Sequence, residues 1–384
     1  MKIVYLLPGG LYNAAGMERV ITLKANYFAD IAGYDVSIIT TEQMGRPVYY
    51  PLSDKVHLYH LDIGIGKNFE TESYLQKVVS RISSLREYKK RVNEVLMEIR
   101  PDVTISTLGG LDIEFINGLK DGSAKVGELH FIGDFRKVMT RKLYKSFIPN
   151  LVGEFMNRRF REKCSKLSRL VVLTEEEKSG WKNSEQQVTV IPNPSPIHTD
   201  KSAALDNKKA IAVGRLAYEK GFDWLIEVWA MVAEKHPDWR LDIFGSGNQK
   251  EILQQMIDER SLNEVIKIND PVPNIQEHYL NSSMLIFPSR YLDALPMVLI
   301  EALSCGLPLV AFDAPCGPKD VINDGENGFF VKTGEKEALA DRICRLIESD
   351  ELRKAMGLKA KLSSERYQIE PVMNQWISLF EELK

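Results

Sequence analysis

The feature that most constrains the fold is an alternation, run through twice, of short β-rich segments and longer helical patterns. In the first half KIVYLL, DVSIIT, VTIST, AKVGEL, LVVLT and VTVIP read as strands, separated by amphipathic stretches such as Met17–Ile31, Glu72–Ile99 and Phe135–Lys166. The second half repeats the pattern with IAVGRL, RLDIFGSG, VIKIND, MLIFPS and PLVAFD, each followed by a turn signal and a helix. Nearly continuous apolar strands joined by helices mark a parallel α/β architecture, because crossover helices cover both faces of the sheet. In FDWLIEVWAMVAEK, Trp224, Leu225, Val228, Trp229 and Val232 fall at helical spacing and predict a stripe facing the core.

A chain of 384 residues suits two domains of ordinary size. Between the halves runs PNPSPIHTDKSAALDNKK, Pro192 to Lys209, poor in apolar residues and expected as the linker. We therefore expect one doubly wound domain over residues 1–195 and a second over 196–370, with a helix over about 371–384 packing back on the first. Ligands of open parallel sheets sit outside the carboxyl ends of the strands, so each domain is expected to turn its strand-to-helix loops toward a cleft between them.

Bulk chemistry excludes several classes. A net charge of −3 argues against a general nucleic-acid binder. Cys164, Cys305, Cys316 and Cys344 form no CxxC pair and read as scattered thiols of a reducing compartment, with no metal site. MKIVYLLPGG has one lysine and five apolar residues before Pro8, which reads as a first buried strand rather than a signal-peptide core. No uncharged apolar run approaches the roughly 20 residues of a membrane-spanning helix, so a cytoplasmic protein is expected. One segment departs from the average: residues 135–167 carry ten Lys/Arg against two Glu, interleaved with Phe135, Met139, Leu143, Phe147, Val152, Phe155 and Phe160. Such a segment suits an anionic membrane surface, and equally a pair of surface helices whose apolar stripe faces the core.

Four stretches carry candidate chemistry. In AIAVGRLAYEKG a strand ends at Gly214, with Arg215 next and Lys220 five residues on; an Arg fork and a Lys point charge suit phosphate. Gly214 and Gly221 permit close backbone approach or a positive φ. FGSGNQKE has Lys250 where the third glycine of a dinucleotide fingerprint falls, so a tight strand-to-helix turn explains it. The loop PGGLYNAAGMERV, with Gly9, Gly10 and Gly16, leads into a helix that can face an anion, or is simply a turn. In GELHFIGDF, His130 follows a strand near Glu128 and Asp134, in a structural or a catalytic role.

RYLDALPMVLIEALSCG, from Arg290, holds Asp293 and Glu301. Pro296 suits the first turn of a helix, which puts Glu301 inside the helix and Asp293 in the loop before it. At about 100° per residue they share no face, so they are not an acid/base pair across one bond. They fit two separate contacts on one ligand. Two carboxylates and two cations suit a ligand with hydroxyls and a diphosphate.

In their order and spacing these segments resemble the retaining glycosyltransferases of family 4, with their two-domain GT-B fold. The resemblance runs nearly end to end: the glycine loop with GMERV, ELHF, VVLT…VTVIPNP, VGRL…EKG, DIFGSG, PSR…LPMVLIEALSCGLPLVAFD and VINDGENGFFV. It implies transfer of a hexose or N-acetylhexosamine from a nucleotide-sugar, UDP-linked as the commoner donor, with retention at the anomeric carbon. It implies no cofactor and no required metal. By the same resemblance Arg215 and Lys220, beside Gly214, neutralise the diphosphate, and Glu301 holds the ribose. Leu295, Pro296, Met297 and Val298 form the loop that offers backbone N–H groups to phosphate or sugar. His130 lies near the reacting sugar, Gly16 near the phosphates or acceptor, and Val272 to Asn274 border the base. Asp293 stands where the family has Glu, Ala294 where Gly is usual, and Ala15-Gly16 where a Gly pair is usual. Those departures bear on the identity of the donor sugar.

The expected enzyme builds a cell-surface polysaccharide or lipopolysaccharide on a saccharide or lipid-linked acceptor, in the cytoplasm or, on the membrane reading of residues 135–167, at the inner membrane face. Two other readings are a nucleotide-sugar epimerase or hydrolase, which turns over donor without acceptor, and a non-catalytic nucleotide-sugar-binding subunit.

Overall fold

A computed structural model describes residues 1–63, 74–132, 148–181, 187–291, 294–315 and 317–384. It divides into two compact units, Met1–Ile191 with Met373–Lys384, and Pro192–Val372.

The first unit is built on a seven-stranded sheet of order β3-β2-β1-β4-β5-β6-β7, every pair parallel. Its strands are β1 (Lys2–Leu7), β2 (Asp35–Thr40), β3 (Val56–His60), β4 (Val103–Ser106), β5 (Ala124–Leu129), β6 (Arg169–Val172) and β7 (Val188–Val190). β1 is buried from Ile3 to Leu7 because both of its faces are covered. Val4 and Leu6 pack with Tyr88, Val92 and Leu96 of α2 (Tyr74–Ile99) and with Phe160 of α3 (Ile148–Cys164). Tyr5 faces the other way, toward α1 (Gly16–Asp30), where Phe28 lies 5.3 Å from Phe380. Phe380 belongs to α12 (Ile369–Glu382), whose residues from Met373 on are part of this unit and bury Trp376 and Phe380. α4 (Glu175–Ser179) is capped by Thr174, whose hydroxyl accepts from the Glu177 N–H. The sheet edge β3 was not anticipated: VHLYH buries only its first residue fully, so its apolar signal is diluted.

The second unit has a six-stranded parallel sheet of order β10-β9-β8-β11-β12-β13. Its strands are β8 (Lys209–Val213), β9 (Arg240–Phe244), β10 (Ile266–Asn269), β11 (Met284–Phe287), β12 (Leu309–Asp313) and β13 (Gly328–Lys332). The helices are α5 (Phe222–Lys235), α6 (Lys250–Glu259), α7 (Ile275–Leu280), α8 (Met297–Ser304), α9 (Pro318–Val321), α10 (Lys336–Glu348) and α11 (Asp350–Ser363). Leu225, Val228, Trp229 and Val232 of α5 lie in the core as their spacing predicts. Trp224 differs: it is half-buried, edge-on to Phe312 at 5.7 Å, and its face carries the Arg290 guanidinium at 3.8 Å. The stretch from Pro192 to Lys209 is tied down within this unit. Ser195 N–H donates to the Tyr367 carbonyl at 2.6 Å, Ala203 N–H to Cys305 at 2.8 Å, and the buried Arg353 to Leu205 at 2.9 Å.

In each sheet the strand order reverses at its first strand, between β1 and β4 and between β8 and β11. The carboxyl ends flanking such a reversal are where doubly wound sheets bind ligands. Cys164, Cys305 and Cys344 are buried and free of disulfides. Among the described residues no helix is long and apolar enough to cross a membrane.

Candidate active site

In the second unit, Arg215 and Lys220 both follow β8. The backbone there is pressed against the loop after β9. Gly214 N–H donates to Phe244 at 3.0 Å and Leu216 N–H to Ser246 at 2.8 Å. A Cβ on Gly245 would lie 1.9 Å from the Gly214 carbonyl oxygen, and one on Gly247 2.3 Å from that of Leu216. The GSG of FGSGNQKE therefore serves backbone-to-backbone packing of two loops, which accounts for its glycines without a dinucleotide. Arg215 is exposed and pairs with Glu219 at 2.6 Å.

Lys220 closes the 3₁₀ turn Tyr218–Lys220, and this turn is clamped from β11. Arg290 N–H donates to the Glu219 carbonyl at 2.9 Å. Its guanidinium, nearly buried, donates to the Tyr218 carbonyl and to Asp223 at 2.6 Å, while lying 4.3 Å from the Tyr218 ring and 3.8 Å from that of Trp224. Gly221 has φ +70, and a Cβ there would come 2.1 Å from the Pro288 carbonyl oxygen. Only glycine meets both conditions. Sequence reasoning assigned Arg290 no role, since its partners lie 67 to 72 residues away.

After β11, Leu295 and Pro296 are buried and Pro296 is the N-cap of α8. The proline thus stands one position before the helix rather than in its first turn. The N–H groups of Met297 and Val298 in that turn have no intrahelical acceptor and face an anion favourably. Gly317, at φ +90, lets the Pro296 ring approach: a Cβ there would lie 2.5 Å from Pro296 Cδ. Glu301, on α8, is buried and accepts from the Tyr279 hydroxyl at 2.9 Å. Tyr279 is fully buried on α7, directly after the segment Val272 to Asn274. One hydrogen bond therefore links the helix behind the candidate base-bordering segment to the candidate ribose carboxylate. Burial pushes the Cys305 thiol up to about 12, with Lys361 opposing and Glu301 adding, so it is no nucleophile. Asp293 lies outside the described residues.

In the first unit, the loop after β1 is anchored at its start and exposed from Asn13 to Gly16. Gly9 N–H donates to Thr41 Oγ1 and Leu11 N–H to Gln43 Oε1, each at 2.8 Å. α1 begins at Gly16 with no side-chain cap at Ala15. His130, just past β5, has Nε2 3.2 Å from Glu128 Oε1 but off the line of a hydrogen bond. Behind it Lys24 meets the same Glu128 oxygen at 2.6 Å, with the lysine side chain fully buried. Burial alone would raise the Glu128 carboxyl; Lys24 and His130 outweigh it and pull it down to about 2. Burial lowers the Lys24 ammonium and Glu128 holds it up in part. Glu18, buried in the first turns of α1, is raised by burial, with Asn13 and His130 opposing. Asp134 lies outside the described residues.

Within α3, Phe160 and Cys164 are buried against the core, whereas Phe155 and Met156 are exposed beside Arg158 and Arg159. The helix thus has both a core stripe and an outward apolar-basic face. Residues 135–147 of the basic segment lie outside the described residues. Among the described residues no three His, Cys, Asp or Glu side chains gather as a metal site.

Residues 196–363 match the family model of glycosyl transferases group 1. An uncharacterised glycosyltransferase of Haemophilus influenzae is 29% identical over 381 residues, covering 98% of this chain and 99% of its own. The amylovoran biosynthesis glycosyltransferase AmsD of Erwinia amylovora is 28% identical over 387 residues, with 98% and 99% covered. Among solved structures, TarM of S. aureus, in complex with fondaparinux, α-GlcNAc-glycerol and UDP, superposes with a TM-score of 0.77 at 17% identity over 99% of both chains; that likeness speaks for the fold alone. The two doubly wound parallel sheets and the likeness to solved structures give the chain the GT-B fold, and its second unit matches the model of glycosyl transferases group 1.

Proposed function

We propose that this protein is a retaining glycosyltransferase that moves a hexose or N-acetylhexosamine from a UDP-sugar to a saccharide or lipid-linked saccharide in cell-surface polysaccharide assembly. The observation that carries the reading is the clamped loop after β8, which holds Arg215 and Lys220 at the strand-order reversal of the second sheet. In the reaction the bond from the anomeric carbon to the β-phosphate oxygen breaks and a bond to the acceptor hydroxyl oxygen forms on the same face. The hydroxyl proton leaves with the nucleoside diphosphate. Charge develops on the β-phosphate as the old bond breaks, and fixed cations with α8 N–H groups stabilise it without reorganising. Arg215 and Lys220 supply two cations for this charge, and we propose that no metal is required. Glu301 takes the ribose hydroxyls, the segment from Val272 borders the base, and Asp293 and His130 contact the donor sugar.

AmsD by its name serves amylovoran biosynthesis, and TarM was solved with UDP; both support a polysaccharide product and a uridine donor. We further propose that Phe155, Met156, Arg158 and Arg159 of α3 rest on the anionic inner face of the membrane, close to a lipid-linked acceptor.

The test is incubation with a panel of UDP- and GDP-sugars and saccharide acceptors, in EDTA. Acceptor-dependent UDP release, with NMR of the product showing the donor's anomeric configuration, is expected. An inverted product, or turnover restored only by added metal, contradicts the reading.

A further inference from the structure

The apolar stripe of α1 runs through a lysine. Val20, Lys24 and Phe28 follow one another a turn apart, and all three are buried. The Lys24 ammonium lies 2.6 Å from Glu128 Oε1, 3.8 Å from the Trp376 ring centroid and 5.6 Å from that of Tyr5. Its surroundings are one carboxylate and two aromatic faces. Stability does not explain such a pair: removing two ions from water is expensive, and apolar residues of the same volume commonly give an equal or more stable fold. What the pair does have is a third member at its edge. Glu128 Oε1, the oxygen that Lys24 holds, is 3.2 Å from His130 Nε2, and Glu128 Oε2 has no partner among the described residues.

We propose that Lys24 and Glu128 are positioning residues for His130, Lys24 fixing the carboxylate and the carboxylate fixing the imidazole. The charge of the carboxylate, 3.2 Å from Nε2 though off the line of a hydrogen bond, favours the ring proton on Nε2, which leaves Nδ1 as the nitrogen offered to a sugar hydroxyl. Trp376 closes the ammonium off from water, so the last helix completes the device. The inference rests on the reading that His130 contacts the donor sugar.

The full chain is assayed with its UDP-sugar and acceptor, alongside its thermal midpoint. Glu128→Gln lowers kcat on the order of 10- to 100-fold, by analogy with the loss of the partner that orients a metal-bound histidine. Lys24→Met alone strands a buried carboxylate and lowers the midpoint. The double variant Lys24→Met/Glu128→Gln recovers the midpoint and keeps the kcat deficit. In a His130→Ala background, Glu128→Gln changes kcat less than about twofold, since coupled residues act as one unit. Recovery of rate together with midpoint in the double variant overturns the inference, and so does a multiplied loss in the His130→Ala background. A wild-type rate in His130→Ala alone overturns the assignment of His130 as well.

Discussion

The hydroxyl of Tyr279 donates to Glu301 Oε2 across 2.9 Å, and neither side chain is open to water. On the proposed assignment of Glu301 to the ribose hydroxyls its carboxylate must be held in place before the ligand arrives, and Tyr279 does this from the helix that follows Val272. Replacing it with phenylalanine keeps the ring and removes that bond. Tyr279→Phe is therefore expected to raise the donor KM about fivefold to tenfold, with kcat changed far less, the loss of one hydrogen bond to a charged group. Steady-state kinetics over a donor titration measures the split.

Arg290 makes a second such prediction. It holds the Tyr218–Lys220 turn by its N–H, its guanidinium and its stacking between Tyr218 and Trp224. Arg290→Lys loses the planar fork and the stacking at once, so it is not a conservative change. UDP affinity in calorimetry is expected to fall on the order of tenfold, while Gly221→Ala costs more stability than the about 1–3 kcal/mol of its strained φ, because the Cβ also meets the Pro288 carbonyl oxygen.

The Glu128 carboxyl sets an acid limb for the first unit. Its ordinary value of 4.5 is depressed to about 2 in the folded chain. The stabilisation it contributes is present above its ordinary value and is lost as pH falls through about 2. The protection of the β1 and β5 amides against hydrogen exchange, taken relative to the intrinsic rate at each pH, is expected to fall with acid between those limits in the wild type. In Glu128→Gln the same window is expected to be flatter.

Membrane docking through α3 predicts flotation with vesicles containing anionic lipid at low salt, weakened at high salt. Phe155→Ser together with Arg159→Ser is expected to abolish flotation and leave turnover of a water-soluble acceptor unchanged, because both side chains point outward. Equal flotation of this variant sinks the proposal.

Much of this was legible in the chain. The inner strands of both sheets could be read because burial on two faces makes them nearly continuous apolar runs, as in β1 and β12. β3 and β13, at sheet edges, were not read as strands: β3 has His57 and His60 exposed and only Val56 buried, and β13 is a short GFFV run directly after the turn residues NDGEN. The loop bearing Arg215 and Lys220 and the turn before the helix of Glu301 were legible because glycine and proline fix them locally. The residues that hold those groups were not. Lys24 sits on the apolar stripe of α1, which signals a buried partner, but Glu128 lies 104 residues away. Tyr279 and Arg290 likewise act on residues that only the folded sheet brings near, and an isolated tyrosine or arginine carries no local sign of it.

The central claim is that fixed cations on the loop after β8 carry the charge of a departing nucleoside diphosphate. Acceptor-dependent UDP release by Lys220→Ala, compared with the wild type at saturating donor, tests it most directly. The account predicts a loss in kcat of about 100-fold or more, the size typical of removing one preorganised charge-stabilising group, with the thermal midpoint unchanged. Wild-type kcat in Lys220→Ala would contradict it.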